Sequence, residues 1–332
     1  MKMRTYVVLA LALIFSVLHA EDAAPVRLET KEVSLGNAEI DILPATLRLS
    51  ADAKHMAFIG RRGDDWIVVL DGIPGKAYDG IGDTSLLFSP DNAHLAYAAM
   101  DGNDWRVVVD GVEEKPYAGL QGIVFSPDSK RVGYFANHGN DWFAVVEGSE
   151  GKKYDEAADL VFSPNGKRFA YAANHGRNWK VVVDGKEGKE YDGAASIVFS
   201  PDSRRVAYAA QHGRSWRVVL DDVEGKEYDG LRQGNGVPEL RRAAYAALHA
   251  NPEEVSLDDI FGDSAPTFSP DSTHLAYWAR HGNAWHVVVD GAESKAYDGY
   301  LRGSHLVFEK PNVVRALAVR GADALRVGIE VK

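Results

Sequence analysis

Four histidines recur in one setting: His138-Gly139-Asn140, His175-Gly176-Arg177, His212-Gly213-Arg214 and His281-Gly282-Asn283. Histidine is the commonest metal ligand and changes charge near neutral pH, so a quartet of them suggests a metal or acid–base centre. Their spacing points elsewhere. Each stands between two strand-like runs at the tip of a repeated hairpin, and equivalent tips of successive repeats do not converge to the distance of about 2 Å that a zinc ligand requires. The expectation is a structural or solvated tip role, without a metal. Arg62-Gly63-Asp64 matches an integrin-type tripeptide, but it occupies the place of the other tips and reads as one more turn. Serine nucleophile elbows, phosphate-binding glycine loops and zinc-protease helices do not occur, so no catalytic residue and no cofactor are assigned.

The element that carries these tips is a repeat, written most completely in Leu160–Ser196. A short apolar run stops at Pro164-Asn165-Gly166, a turn in which proline presets φ and glycine takes positive φ. Arg168–Asn174 resumes as a strand, the His175 tip reverses it, and Trp179–Asp184 follows with the β-branched run Val181-Val182-Val183. Asp184-Gly185 is a hairpin signal before a polar fourth strand ending at Tyr191-Asp192-Gly193. Because apolar positions run consecutively, both faces of this small sheet need cover, which neighbours like it must supply.

The composition bounds the partners. The formal charge is −11, or −13 once Lys2 and Arg4 leave with a leader, and no basic run offsets it, so nucleic acid and anionic membrane are poor partners. With no cysteine, disulfides, zinc–thiolate sites and a cysteine nucleophile are excluded. Met1–Ala20 has a basic start, an apolar stretch from Tyr6 to Leu18 and the small Ala20 before Glu21-Asp22. It reads as an export signal cut after Ala20, with an uncleaved anchor as the other reading, since the apolar stretch is short for a bilayer span. The expected product is a soluble monomer in the periplasm or outside the cell.

In chain order, Arg27–Ile42 supplies strand-like residues without a full repeat. Copies follow at 45–83, 84–121, 122–159, 160–196 and 197–233, and their tryptophans, Trp66, Trp105, Trp142, Trp179 and Trp216, lie 39, 37, 37 and 37 residues apart. Each tryptophan could offer a stacking platform for sugars, but the start of a third strand predicts a place in the core between sheets. From Trp216 to Trp285 the gap is 69 residues. Within it Arg241–His249 repeats the pattern of Arg204–His212, so 234–264 is a worn copy by origin. It is read as a helical excursion or a distorted extra blade, because alanine and arginine favour helix and its glycines weaken a strand. A regular copy returns at 265–304, and 305–332 holds three strands. The architecture expected is all-β: seven four-stranded antiparallel sheets, or eight if the worn copy folds as one, in a ring closed by pairing 31–42 with the C-terminal strands.

Phe125–Arg131, Phe199–Ala210 and Phe268–Ala279, with their Phe-Ser-Pro-Asp and Ala-Tyr motifs, resemble the WD40-like (PD40) repeats of TolB-type β-propellers over about residues 45–304. That family includes periplasmic interaction modules and gating propellers of prolyl-oligopeptidase-type enzymes; a departure from the second group is expected, without a following hydrolase domain. The Asp-Gly-x-Glu-Gly-Lys-x-Tyr-Asp-Gly segment looks like an exported bacterial subgroup. The resemblance implies that the first strand of each repeat is innermost. It then puts the histidine tips on one face with the Tyr-Asp-Gly exits, and Thr46, Ser85, Gly122, Asp159, Ser196, Ala265 and His305 around one mouth of a central channel. Those seven are small or polar either because inner strands converge there or because they bind a ligand or peptide, with Asp159 and His305 as the titratable members. The function expected is a non-catalytic scaffold that binds a protein or peptide through one face, with 231–264 as its variable element at the channel mouth. The alternative is a lactonase-like or carbohydrate-active propeller enzyme.

Overall fold

A computed structural model describes residues 40–231, 266–300, 306–321 and 323–331. The leader, the worn copy and His305 lie outside them. Among the described residues the chain forms seven antiparallel sheets, in sequence order, joined into no larger sheet. The fourth shows the pattern: Glu156–Phe162 pairs with Phe169–His175, which pairs with Asn178–Val183, which pairs with Lys186–Glu187. This up-and-down meander is a propeller blade, and the chain is a β-propeller whose described residues form seven blades.

The blades are held to one another by three recurring contacts. The tyrosine and lysine that end one blade reach a glutamate in the next: Tyr154 donates to Glu187 at 2.9 Å, and Lys152 pairs with the same carboxylate at 3.2 Å. Five such tyrosine bonds run from Tyr78, Tyr117, Tyr154, Tyr191 and Tyr228 to Glu113, Glu150, Glu187, Glu224 and Glu293. A second contact joins the Ser-Pro-Asp turns, where the N–H groups of Asp91, Asn165 and Asp202 donate to the hydroxyls of Ser129, Ser203 and Ser272. Between third and fourth blades this place is held by Gly166, which has no hydroxyl to offer. Apolar filling is the third: Tyr171, 1% exposed, sits between Phe135 and Tyr154 of the preceding blade, in edge-on contact with both.

Five of the seven blades also carry a latch across their own base. The residue opening the second strand pairs with the carboxylate sixteen residues on: His55–Asp71, His94–Asp110, Arg168–Asp184, Arg205–Asp221 and His274–Asp290, at 2.6–2.8 Å. The Asp110 hydrogen bond raises the His94 pKa above its ordinary 6.5. A cation held in the folded state stabilises it fully below that value, and the contribution is lost as pH rises through the raised pKa. Because the pair is half-exposed, the effect is at most about 1 kcal/mol. His94→Gln is expected to remove this step from the pH dependence of the urea midpoint; an unchanged profile would count against the latch.

Two boundaries differ from the sequence reading. Inner strands start earlier than the repeat units, at Gly80, Gly119, Glu156, Gly193, Gly230 and Gly299, so the Tyr-Asp-Gly exit of one unit already opens the next blade. The described end of the expected closing segment, Asp41–Ile42, pairs with Arg61 and Gly60 of the first blade and not with the C-terminal strands. It is the beginning of that blade's inner strand, in the register that Gly80–Ile81 takes in the second. Residues 31–39 lie outside the described set. The seventh blade comprises Gly299–Tyr300 and Val307–Lys310 side by side along Val313–Arg320, then Asp323–Glu330.

Candidate functional site

The inner strand of a regular blade carries a bulge. In the fourth, pairing with the second strand is regular through Ala158, breaks, and resumes at Val161; the third and fifth blades break after Gln121 and Ala195. The first residue of each break is Gly122, Asp159 or Ser196, with φ of +67°, +58° and +57°. Left-handed φ is natural for glycine and tolerated by aspartate, while serine bears a steric penalty there. These are three of the residues expected at the channel mouth, and they share one position.

The same place in the first two blades is longer. Their inner strands are split, Ile42 from Arg48 and Ile81 from Leu87, and a hydroxyl closes each gap. Thr46 Oγ1 donates to the Leu43 carbonyl at 2.7 Å and accepts the Ile59 N–H at 2.9 Å; Ser85 Oγ donates to Gly82 at 2.6 Å and accepts from Ala98 at 2.8 Å. Each stands in for the missing inner-strand carbonyl, so the polarity of Thr46 and Ser85 is engaged in the sheet itself. Thr46 is 2% exposed and unable to meet a ligand.

Asp159 differs from the rest. Its side chain is exposed, yet the protein around it desolvates the carboxylate and raises its pKa above 3.8, with no cation nearby to offset this. A raised carboxyl binds its proton more tightly when folded, so its ionisation costs stability as pH climbs through the folded pKa, and the cost persists above it. Asp159→Asn is therefore expected to raise the melting temperature at neutral pH, with the gain vanishing below the ordinary pKa of 3.8. A lower melting temperature at neutral pH would mean that the carboxylate has a partner.

The sixth blade puts the worn copy at this bulge. Gly230–Leu231 and Thr267–Phe268 both pair with Leu275–His281, in the registers that Gly193–Ala194 and Val198–Phe199 take in the fifth blade. Residues 232–266 therefore replace the three residues Ala195-Ser196-Ile197. The fifth and sixth blades are direct neighbours: Tyr228 donates to Glu293 at 3.3 Å, the Asp202 N–H donates to Ser272 at 2.9 Å, and Tyr228 meets Tyr277 edge-on. Among the described residues no blade stands between them, and these residues form seven sheets. The segment thus enters within an inner strand.

The histidine tips are not brought together. Nδ1 of His175 lies 3.9 Å from Asp155 and that of His212 lies 4.0 Å from Asp192, while His138 and His281 rest on Tyr117 and Tyr228. The aspartates in turn cap the tip turns: Asp155, Asp192 and Asp229 accept the N–H groups of Gly176, Gly213 and Gly282 at 2.5–2.6 Å. Among the described residues no three His, Asp or Glu side chains are placed to share a metal. Trp66, Trp142, Trp179, Trp216 and Trp285 pack in or against the apolar clusters between blades, as expected for core.

No protein-family model and no curated protein matches the chain. Solved structures similar to it include TolB from Acinetobacter baumannii, at 17% identity and TM-score 0.32, covering 77% of this chain and 63% of that one. The hydrazine synthase of Kuenenia stuttgartiensis is similar at 13% identity and TM-score 0.35, covering 86% and 95%. The β-propeller domain of the Trilobed protease from Pyrococcus furiosus is similar at 11% identity and TM-score 0.36, covering 88% and 96%. The chain thus spans 63% of the length of that TolB. The blade count rests on the pairing above and not on these likenesses.

Sequence reasoning passed over the position that unifies the site. The repeat length is constant elsewhere: inner-strand Leu49, Phe88, Phe125, Phe162, Phe199 and Phe268 each precede their tryptophan by 17 residues, and 14 more lead to the next inner strand. The tryptophan spacings of 39 and 69 arise at the bulge alone, the signal that could have located it.

Proposed function

We propose that the chain is an exported, non-catalytic propeller of the TolB-like, PD40 type that binds a protein or peptide partner through the face from which the sixth blade's inner strand releases residues 232–266. One observation carries this reading. Among the first six blades, all length variation falls at one point of the repeat, the inner-strand bulge, while the flanking contacts between blades keep their register. A scaffold that varies at one point and is otherwise held constant has the organisation of a binding module, in which rigid strands present a variable loop. The acidic charge agrees with a partner that is neither nucleic acid nor anionic membrane.

The test is affinity capture from the native envelope fraction with the wild-type chain and with a variant in which 232–266 is replaced by Ala-Ser-Ile. Loss of a stoichiometric partner in the variant supports the proposal; equal capture overturns it.

An enzyme of lactonase-like or carbohydrate-active type has one observation in its favour, the exposed Asp159 carboxyl with its raised pKa. Glycoside hydrolysis needs a second carboxylate within about 5–10 Å. The other bulge residues described are threonine, serine and glycine. An Asp159→Asn variant that loses a measured hydrolytic activity would favour this reading over the scaffold.

A further inference from the structure

The glutamates that join neighbouring blades are not all held alike. Each takes a lysine from the preceding blade: Lys76, Lys115, Lys152, Lys189 or Lys226. In three blades the residue after the third-strand tryptophan supplies a second cation. Arg106 and Arg217 pair with Glu113 and Glu224, and Lys180 adds its charge beside Glu187. In the third and sixth blades that position holds Phe143 and His286. Phe143 has no charge, and Nδ1 of His286 lies 3.0 Å from the Ser294 carbonyl, to which it donates. Glu293 also has the longest lysine contact, 3.6 Å from Lys226 against 2.6–3.2 Å for the other four.

The histidine tips divide in the same way. In the fourth and fifth blades, which have Lys180 and Arg217, His175 and His212 face the exit aspartates Asp155 and Asp192. In the third and sixth, His138 and His281 turn onto the seam tyrosines Tyr117 and Tyr228, with ring centroids 5.3 and 4.9 Å apart. His138 is among the charges that lower the Glu150 carboxyl below its ordinary 4.5, behind Lys115. The exit residue there is Ala118, so His138 has no aspartate to face. His281 has one, Asp229, which caps the tip by accepting the Gly282 N–H. Even so, Nε2 of His281 lies 3.8 Å from Glu293.

We propose that His281 makes the seam between the fifth and sixth blades pH-dependent: when protonated, it supplies the cation that Arg106 and Arg217 supply to their seams at every pH. The groups facing it are Glu293, Tyr228, His286, Lys226 on the same carboxylate, and Asp229 at the tip. Glu293 at 3.8 Å is nearer than the His286 ring, whose centroid is 6.4 Å away, so attraction outweighs repulsion when His281 takes a proton. A second proton, on His286, meets a like charge, so the pair takes up one proton more readily than two. Stability held by such a cation is present at low pH and lost as pH rises. Because His281 is half-exposed, the effect is modest. It falls on the blade that releases residues 232–266, where Gly230 lies opposite Arg280 beside the tip. The device concerns the seam itself and stands apart from the function proposed above.

The test is hydrogen exchange of the full chain, followed by NMR from about pH 5.5 to about pH 8, the range over which histidine changes charge. The Asp229 N–H, bonded to the Arg280 carbonyl at 2.8 Å, reports on the sixth blade. The Asp79 N–H, bonded to the Met100 carbonyl at 3.0 Å, is its counterpart in the second blade, where Arg106 holds Glu113 and the tip residue is Asp101. Taking the ratio of the two at each pH cancels most of the pH dependence of the exchange chemistry. Protection of Asp229 relative to Asp79 is expected to fall about two- to fivefold from low to high pH. His281→Gln should hold the ratio at its high-pH value throughout, and His286→Arg, which restores the arginine of the second and fifth blades, should keep it high at both ends. A ratio constant with pH in the wild type, or a dependence that survives in His281→Gln, would overturn the proposal. So would an equal loss of protection at every pH in His281→Gln, the mark of a merely structural tip. If that variant disturbs the hairpin, His286→Arg decides alone, and an undiminished pH dependence in it counts against the proposal.

Discussion

Replacing Tyr171 with alanine is expected to lower stability by about 3–5 kcal/mol, read as a shift of the urea midpoint and as faster hydrogen exchange across the third and fourth blades. The side chain is 1% exposed and stands where two blades meet, with ring centroids 5.8 Å from Phe135 and 6.2 Å from Tyr154. Truncation removes a large apolar area and leaves a cavity bounded by rigid strands that are paired on both sides, so the site has little room to collapse. Tyr171→Phe keeps the ring and is expected to cost about 1 kcal/mol or less, because the hydroxyl makes only a marginal contribution beside that of the ring. A small effect of Tyr171→Ala would mean that the seam between these blades is soft, and that the tyrosine–glutamate bonds further out, such as Tyr154 to Glu187, hold the blades by themselves.

Much of this arrangement was legible in the residues. The Phe-Ser-Pro-Asp turn, the β-branched third strand and the tryptophan period specified four-stranded antiparallel blades and narrowed their number to seven or eight, because each is local chemistry repeated at a fixed interval. Two things were not legible, for different reasons. The unit boundary was drawn at the apolar run Leu160–Ser163, whereas the inner strand begins at Glu156, because half-exposed residues such as Glu156 and Ala158 carry no hydrophobic signal. The polarity of Thr46, Ser85 and Asp159 looked alike in the alignment, but its meaning depends on bulge length. A five-residue gap lets Thr46 and Ser85 fold back onto the second strand, and a two-residue gap leaves Asp159 exposed. The latch histidines His55, His94 and His274 sit at strand starts that arginines take in other blades, and their role appears only once Asp71, Asp110 and Asp290 are found beside them.

The last expectation concerns the insertion. Replacing residues 232–266 with Ala-Ser-Ile is expected to leave the melting temperature within a few degrees of the wild type and to abolish partner capture. The flanking strands already hold the registers that a three-residue bulge joins in the fifth blade, Leu231 opposite Ala279 and Thr267 opposite Ala276 against Ala194 opposite Ala210 and Val198 opposite Ala207. Ends so placed need no rearrangement, and shortening a connection of this length lowers the entropy of closing it by only about 1–2 kcal/mol in the favourable direction. The contacts that join the fifth blade to the sixth, Tyr228 with Glu293 and Asp202 with Ser272, involve no residue of the deleted segment. Unfolding of the variant would show that 232–266 supports the core, and would assign the insertion to stability; a folded variant with full capture would move the binding surface to another part of the propeller.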